Sequence, residues 1–345
     1  MSLRSEIFEQ PEVLARLMDV QMKDVERTAR ALKKRKIDFI FLAARGTSDN
    51  AGLYAKYLWG AYNQLPTALA APSLFSVYKK PPCLTNALVV GISQSGKSPD
   101  ILSVIDEANR QGAPTLAITN DPRSHLAKTS EFMINTSAGP EKAVAATKTY
   151  TTQLLAVAML SIALKGDKKR LSELQGLPEM VENALKLDTA VEQAAERYLN
   201  MEKCIILGRG YNYCTAYEWS LKLKELAYIS AQPYSSADFQ HGPVAVISQG
   251  FFVLAVVPDG EIFENMMDLL SELVENRRVE LLTISNRQEA LSLAQTSFPL
   301  PNDMSEWLSP LVSIVPAQLF CYHLTRSKGF DTEKPRGLSK VTLTR

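Results

Sequence analysis

Residues 87–122, ALVVGISQSGKSPDILSVIDEANRQGAPTLAITNDP, decide the fold. The run ALVVGI reads as a strand, SPDILSVIDEANRQG as a helix and TLAITNDP as a second strand. Apolar strands alternating with amphipathic helices place parallel β-structure in a sheet covered on both faces. Upstream, IDFIFLAARGTS (37–48) is a further β-rich run ending at Gly46, and AGLYAKYLWGAY (51–62) continues it with helical spacing. The first half is therefore expected to be an α/β sandwich.

The second half repeats the plan. KCIILGRGYNY (203–213) answers FIFLAARGTSD (39–49), GFFVLAVVPDG (250–260) answers NALVVGISQSG (86–96), and VELLTISNRQ (279–288) answers APTLAITNDP (113–122). Gly46 aligns with Gly210 at an offset of 164, and Asn120 with Asn286 at 166. Three landmarks in order at nearly one offset indicate a tandem duplication. Taken with a length of 345 residues, this gives two α/β domains of flavodoxin-like type, 31–165 and 200–326. A helical arm (1–30) precedes them, a charged helical linker (166–199) joins them, and a tail (327–345) follows.

The copies differ in one loop. The first has Ser93, Gln94, Ser95, Gly96 and Ser98 after its second strand, where the second has Val257, Pro258, Asp259 and Gly260. Open parallel sheets bind ligands beyond the carboxyl ends of their strands, and GISQSGKSPD lies at such an end just before a helix. Free N–H groups, the helix dipole and the serine hydroxyls favour an anion there, with a sugar phosphate as the natural guest. Thr47 and Ser48, after the first strand, occupy the equivalent edge of the same sheet. The plainer alternative is that each serine only caps a helix. There is no GxxxxGK[ST], and Gly208-Arg-Gly210 lacks the third glycine of a dinucleotide fingerprint, so neither a P-loop nor a nicotinamide site is expected.

The second copy carries the titratable groups. Glu218, Lys222 and Glu225 fall at i, i+4 and i+7 on one helix face. Alone, that pattern describes a solvated face with ion pairs worth a few tenths of a kcal/mol each. The loop QPYSSADFQHGPVAVI (232–247) follows, and His241-Gly242-Pro243 is read as a rigid turn entering the next apolar strand. Moving a proton between adjacent sugar carbons needs a base such as a carboxylate, for which Glu225 is the candidate. Ring opening suits an imidazole, and His241 is the candidate. His125, in a polar turn, and His323, in an apolar helical run, are read as structural.

Composition narrows the partners. Lys plus Arg total 38 and Asp plus Glu 37, which leaves no cationic excess for nucleic acid. No run reaches about 18 uncharged apolar residues and the N-terminus lacks a signal-like segment, so no membrane association is expected. The four cysteines, Cys83, Cys204, Cys214 and Cys321, have no metal or disulfide spacing and are each read as small hydrophobes, which fits a reduced, cytoplasmic protein. The tail RSKGFDTEKPRGLSKVTLTR would pass on composition for a disordered end.

Six motifs together carry a family resemblance: EIFEQPEV (6–13), RGTS (45–48), SQSGKSPD (93–100), AVAATKTYTTQL (143–154), LKLKELAYISAQPY (221–234) with HGP (241–243), and KPRGLSKVT (334–342). In these the chain resembles the double sugar-isomerase-domain (SIS) enzymes related to the isomerase half of glucosamine-6-phosphate synthase. The resemblance implies that Ser93, Gln94, Ser95 and Ser98 hold the phosphate, and that Thr47, Ser48, Ser339 and the backbone near Val144 contact the sugar. It makes Glu225 the proton shuttle with Lys222 beside it. His241 would open the ring from the neighbouring subunit of a homodimer, and Lys340 would reach back from the tail to form an imine with the open-chain ketose. AVAATKTYTTQL would be the helix after the fourth strand. No metal or nicotinamide cofactor is implied.

By this resemblance the chain is expected to begin at the isomerase half, without the synthase's glutaminase domain. Lys97, where the synthase has an acid, and EKAVAATK resemble a branch that runs the reaction backwards, the glucosamine-6-phosphate deaminases. The expected activity is conversion of glucosamine 6-phosphate to fructose 6-phosphate and ammonia. The alternatives are another phosphosugar isomerase, a fructosamine-6-phosphate deglycase, the ammonia-dependent isomerase half of the synthase, and a non-catalytic sugar-phosphate sensor.

Overall fold

A computed structural model describes residues 2–340. Its first five strands are β1 (Phe39–Ala43), β2 (Thr67–Leu69), β3 (Ala87–Ile92), β4 (Thr115–Thr119) and β5 (Phe132–Asn135). The next five are β6 (Lys203–Gly208), β7 (Ser230–Ser235), β8 (Phe252–Val256), β9 (Glu280–Ser285) and β10 (Thr296–Pro299). They form two five-stranded sheets in the orders β2-β1-β3-β4-β5 and β10-β9-β8-β6-β7, every pairing parallel. Read from β7, the second order is the first repeated, so the duplication extends from sequence to topology. This order reverses direction between the first and third strands of each sheet, the crevice where doubly wound sheets bind ligands.

Burial explains why the inner strands stand out in the sequence. Every residue of β3 and β4 is buried, as parallel strands covered on both faces require. In the N-terminal unit the helix Pro99–Arg110 lays Ile101, Val104, Ile105 and Ala108 on this sheet, a spacing that keeps them on one face. Helix Lys148–Lys165 is buried over most of its circumference, and Trp59 of helix Thr47–Ala61 donates its indole N–H to Val157 O at 3.2 Å. In the C-terminal unit the corresponding central helix is Ser309–Ser327. By length and composition the segment Glu306–Ser327 could cross a bilayer, a property the sequence pattern was not expected to contain, but its apolar window is 94% buried inside the protein. It is a core helix.

The chain divides into two compact units that do not follow simple sequence order. One holds Glu12–Glu141, Lys148–Gln175 and the tail from Ser339; the other holds the residues up to Pro11, Lys142–Thr147 and Gly176–Leu338. The charged stretch between the copies is helical, and its later helices, Leu177–Leu185 and Asp188–Ala195, pack on Ser309–Ser327.

Several local expectations are corrected. Residues 232–247 are not simply a loop: they hold the end of edge strand β7 and the short helix Ser236–Gln240. His241-Gly242-Pro243 leads into the 3-10 helix Pro243–Val246, and β8 starts only at Phe252. The AVAAT part of 143–154 is irregular, with the helix beginning at Lys148 after a fifth strand rather than a fourth. Cys83 is exposed, unlike the other three cysteines. The described tail residues follow a fastened path: Lys328 Nζ donates to Leu199 O and Met201 O at 2.6 and 3.0 Å, and the Glu333 carboxylate accepts the Leu3 N–H.

Candidate functional site

In the N-terminal unit, β1 and β3 are neighbours, with Ala43 opposite Gly91, so the loops that follow them leave the same edge of the sheet side by side. The first loop turns at Gly46, whose φ of +54° lies in the left-handed region where a Cβ is disfavoured. Thr47 and buried Ser48 open the next helix. The second loop folds on itself: the Ser93 hydroxyl accepts the Gly96 N–H at 3.1 Å, and Gly96 at φ +60° lies so close to Ser124 that a Cβ would sit 2.2 Å from its hydroxyl oxygen. Ser93 thus shapes the loop, and Ser95 accepts the Lys97 N–H at 3.4 Å. Ser98 is the N-cap residue of Pro99–Arg110, yet its side chain makes no capping hydrogen bond, so capping does not account for it.

A residue not singled out in the sequence ties the two loops together. Arg45, in the first loop, donates to the Asp100 carboxylate at 2.7 Å, and Ser76 donates to the other oxygen of Asp100 at 2.8 Å. Asp100 itself lies in the first turn of the helix that Ser98 opens. The only signals for this pair were the letters R and D inside RGTS and SQSGKSPD.

The tail lysine also has a partner the sequence did not suggest. Lys340 Nζ lies 2.6 Å from Glu141 Oε2, and that fully buried carboxylate also accepts the Thr149 N–H at 3.1 Å and the Thr149 hydroxyl at 2.7 Å. Ser339 precedes it on an exposed stretch.

In the C-terminal unit, helix Tyr213–Leu226 follows β6 and buries the face that alone would pass for solvated. Lys222 Nζ lies 2.5 Å from Glu225 Oε2 and 3.4 Å from Glu218 Oε1. Glu218 and Lys222 are almost wholly buried, whereas the Glu225 side chain is 24% exposed. Burial opposes the charge on Lys222, but the two carboxylates outweigh it and hold the ammonium above its ordinary pKa. The arrangement is a fixed cation behind a reachable carboxylate, suited to hold the Glu225 side chain in one orientation.

The loop bearing Val144 belongs to this same unit. Buried Glu6, from the N-terminal helix Leu3–Phe8, accepts the backbone N–H groups of Lys142 at 2.5 Å and Ala143 at 3.2 Å. Glu6 thereby fixes the backbone immediately before Val144, a function the motif EIFEQPEV did not disclose. His241 is exposed at the C-terminus of Ser236–Gln240, and its ring makes no hydrogen bond or ion pair with Lys222 or Glu225. His323 is buried, with Nε2 2.8 Å from Asp188, and belongs to the packing of Ser309–Ser327.

The second copy's own switch point is filled. Gly260 is the counterpart of Gly96, and a Cβ there would sit 2.3 Å from the Glu306 carboxyl carbon. Glu306 accepts the Glu261 N–H at 3.0 Å and also approaches Gly210, while Asp259 is paired with Arg287 at 2.7 Å. Burial raises the Glu306 pKa, and the Glu261 N–H partly offsets this.

The SIS domain model matches residues 32–163 and 198–327, the two repeated halves. The glutamine–fructose-6-phosphate aminotransferase (isomerizing) of Thermus thermophilus is 34% identical over 348 residues, covering 97% of this chain and 57% of that protein. The chain thus spans little more than half the length of such curated relatives. The C-terminal domain of glucosamine-fructose-6-phosphate aminotransferase from Francisella tularensis superposes with a TM-score of 0.85 at 31% identity, covering 96% of this chain and 98% of that one. A glucosamine-6-phosphate deaminase from Thermotoga maritima shares the fold, with a TM-score of 0.82, 21% identity and full coverage of both chains. With two matched SIS domains arranged as two parallel sheets of one topology, the chain belongs to the SIS-domain family.

Proposed function

We propose that this chain is a phosphosugar isomerase that acts on glucosamine 6-phosphate and releases ammonia to leave fructose 6-phosphate. The observation that carries the reading is the buried Lys222 between Glu218 and the partly exposed Glu225. In this reading the serines from Ser93 to Ser98 and the neighbouring Gln94 hold the phosphate, and Thr47, Ser48, Ser339 and the Val144 backbone hold the sugar. His241, from the partner subunit of a homodimer, transfers the proton that opens the ring. Glu225 removes the C2 proton and returns it to C1, with Lys222 keeping its carboxylate in place. The nitrogen left as an imine at C2 is hydrolysed: water adds, the C–N bond breaks, and ammonia and the ketose leave. In the reverse direction Lys340 forms an imine with the ketose carbonyl, with loss of water, and its nitrogen takes up the electrons when the C1 proton leaves.

A second reading, ammonia-dependent formation of glucosamine 6-phosphate at the same residues, is favoured by relatives of 34% identity that carry the aminotransferase name. One comparison separates the two. Ammonia release from glucosamine 6-phosphate is measured against amino-sugar formation from fructose 6-phosphate and ammonium. A larger kcat/KM for release supports the deaminase, a larger value for formation supports the synthetic direction, and turnover of neither sugar defeats both.

A further inference from the structure

We propose that Tyr228 is a positioning residue that clamps the C-terminal tail through Arg336 and so sets where Lys340 reaches. The inference rests on the reading that Lys340 takes part in the reaction, and it adds the device that delivers it. Tyr228 lies three positions after Glu225, just past the helix Tyr213–Leu226. Its φ of +56° is in the left-handed region, uncommon for a bulky residue and a conformation that needs surrounding contacts to hold it.

Those contacts come from the tail. The Arg336 guanidinium lies over the Tyr228 ring, 3.7 Å from its centroid, and the Arg336 backbone N–H donates to the Tyr228 hydroxyl at 2.8 Å. One tyrosine thus binds both the side chain and the main chain of one tail residue. Phe330 packs on Tyr228 with ring centroids 4.9 Å apart and lies 5.7 Å from the same guanidinium, although Phe330 is 38% exposed. A half-exposed aromatic pair gripping an arginine adds little to a core; it fits a docking post for a segment that must be placed.

Upstream, the tail is already fastened at Lys328 and Glu333. Tyr228 takes the next hold, four residues before Lys340. Four residues of extended chain span roughly 13–14 Å, so with Arg336 freed the placement of Lys340 depends on its ion pair with Glu141, and whenever that pair opens the ammonium ranges over distances far larger than imine formation tolerates.

The test uses the intact protein. Tyr228→Ala is expected to lower kcat about tenfold to a hundredfold with a smaller rise in KM for the sugar phosphate, because the phosphate loop is untouched while Ser339 and Lys340 are misplaced together. Tyr228→Phe, which keeps the stacked ring, should stay within about threefold of the parent. Arg336→Lys, which keeps the charge and loses the planar stack, should resemble Tyr228→Ala. Two further readouts would not respond to general destabilisation at temperatures where the variants stay folded. Trypsin should cut the Arg336–Gly337 bond faster in Tyr228→Ala, and borohydride trapping of the Lys340 imine with fructose 6-phosphate should slow in step with kcat.

Unchanged cleavage in Tyr228→Ala overturns the clamp. Faster cleavage with unchanged trapping overturns the positioning role. Should Tyr228→Ala fail to fold, Arg336→Lys with parental trapping and kcat overturns the proposal equally. A Lys340→Arg variant with undiminished turnover would instead defeat the role of Lys340 itself, leaving the cleavage result to stand for the clamp.

Discussion

The loops after β3 and β8 occupy the same place in two copies of one fold and have become opposites. At the offset of 164 that pairs Gly96 with Gly260, Ser95 faces Asp259, Lys97 faces Glu261, and the N-cap Ser98 faces the N-cap Ile262. The first loop presents hydroxyls and a cation. The second presents carboxylates, and Glu306 supplies an internal acceptor for the Glu261 N–H. The helices after β1 and β6 differ in the reverse sense: Tyr54, Leu58 and Ala61 stand where the second copy has Glu218, Lys222 and Glu225. In the proposed function, each copy supplies one element of the site, the first its hydroxyl loop and the second its helix face. The lesson is that a duplicated scaffold divides labour by local substitution, with strand order and the glycine turns at Gly46 and Gly210 preserved.

The largest effect expected from this division is at Glu225. Glu225→Gln should lower kcat by about a thousandfold while sugar-phosphate binding, followed by calorimetry, persists. Retained turnover would break the assignment of chemistry to the second copy. Next comes the first copy's loop: Ser98→Ala is expected to raise KM about tenfold, with kcat changed far less, as loss of one hydrogen bond to a charged group predicts. If the same change at Ser98 leaves KM untouched, the hydroxyl loop is not the phosphate site.

Stability should separate the copies as well. Lys222→Met leaves the buried Glu218 carboxylate and the partly exposed Glu225 without the cation they share and should cost about 3–5 kcal/mol in chemical denaturation. The pH dependence has a definite sign. Because the folded pKa of Lys222 is raised above its ordinary 10.5, its pairing contributes fully below that pH and is lost as pH rises through the folded value. The parent should therefore lose stability above pH 10.5 more steeply than Lys222→Met. The smallest effect is expected at the filled crevice, where Glu306→Gln should leave KM within about twofold because no substrate group is placed there. A tenfold change would make the second loop part of the binding site.

What the sequence disclosed follows from burial. The inner strands β1, β3, β4, β6, β8 and β9 are apolar runs and were legible from pattern alone. The edge strands were not: β2 has three residues and β5 four, and β7 and β10 carry Pro233 and Pro299, which a central ladder would not tolerate. The helix face of Glu218, Lys222 and Glu225 was legible as a pattern, but its burial depends on packing that residue spacing does not encode. Glu141, Glu6 and the Arg45–Asp100 pair escaped notice because their partners lie 199, 136 and 55 residues away. Nothing local marks such a pairing.

The division of labour is tested most directly by a crystal structure of the protein soaked with fructose 6-phosphate. Phosphate density is expected over the loop from Ser93 to Ser98, with Glu306 still bonded to the Glu261 N–H. Phosphate density at Asp259–Glu261, with Glu306 displaced, would contradict it.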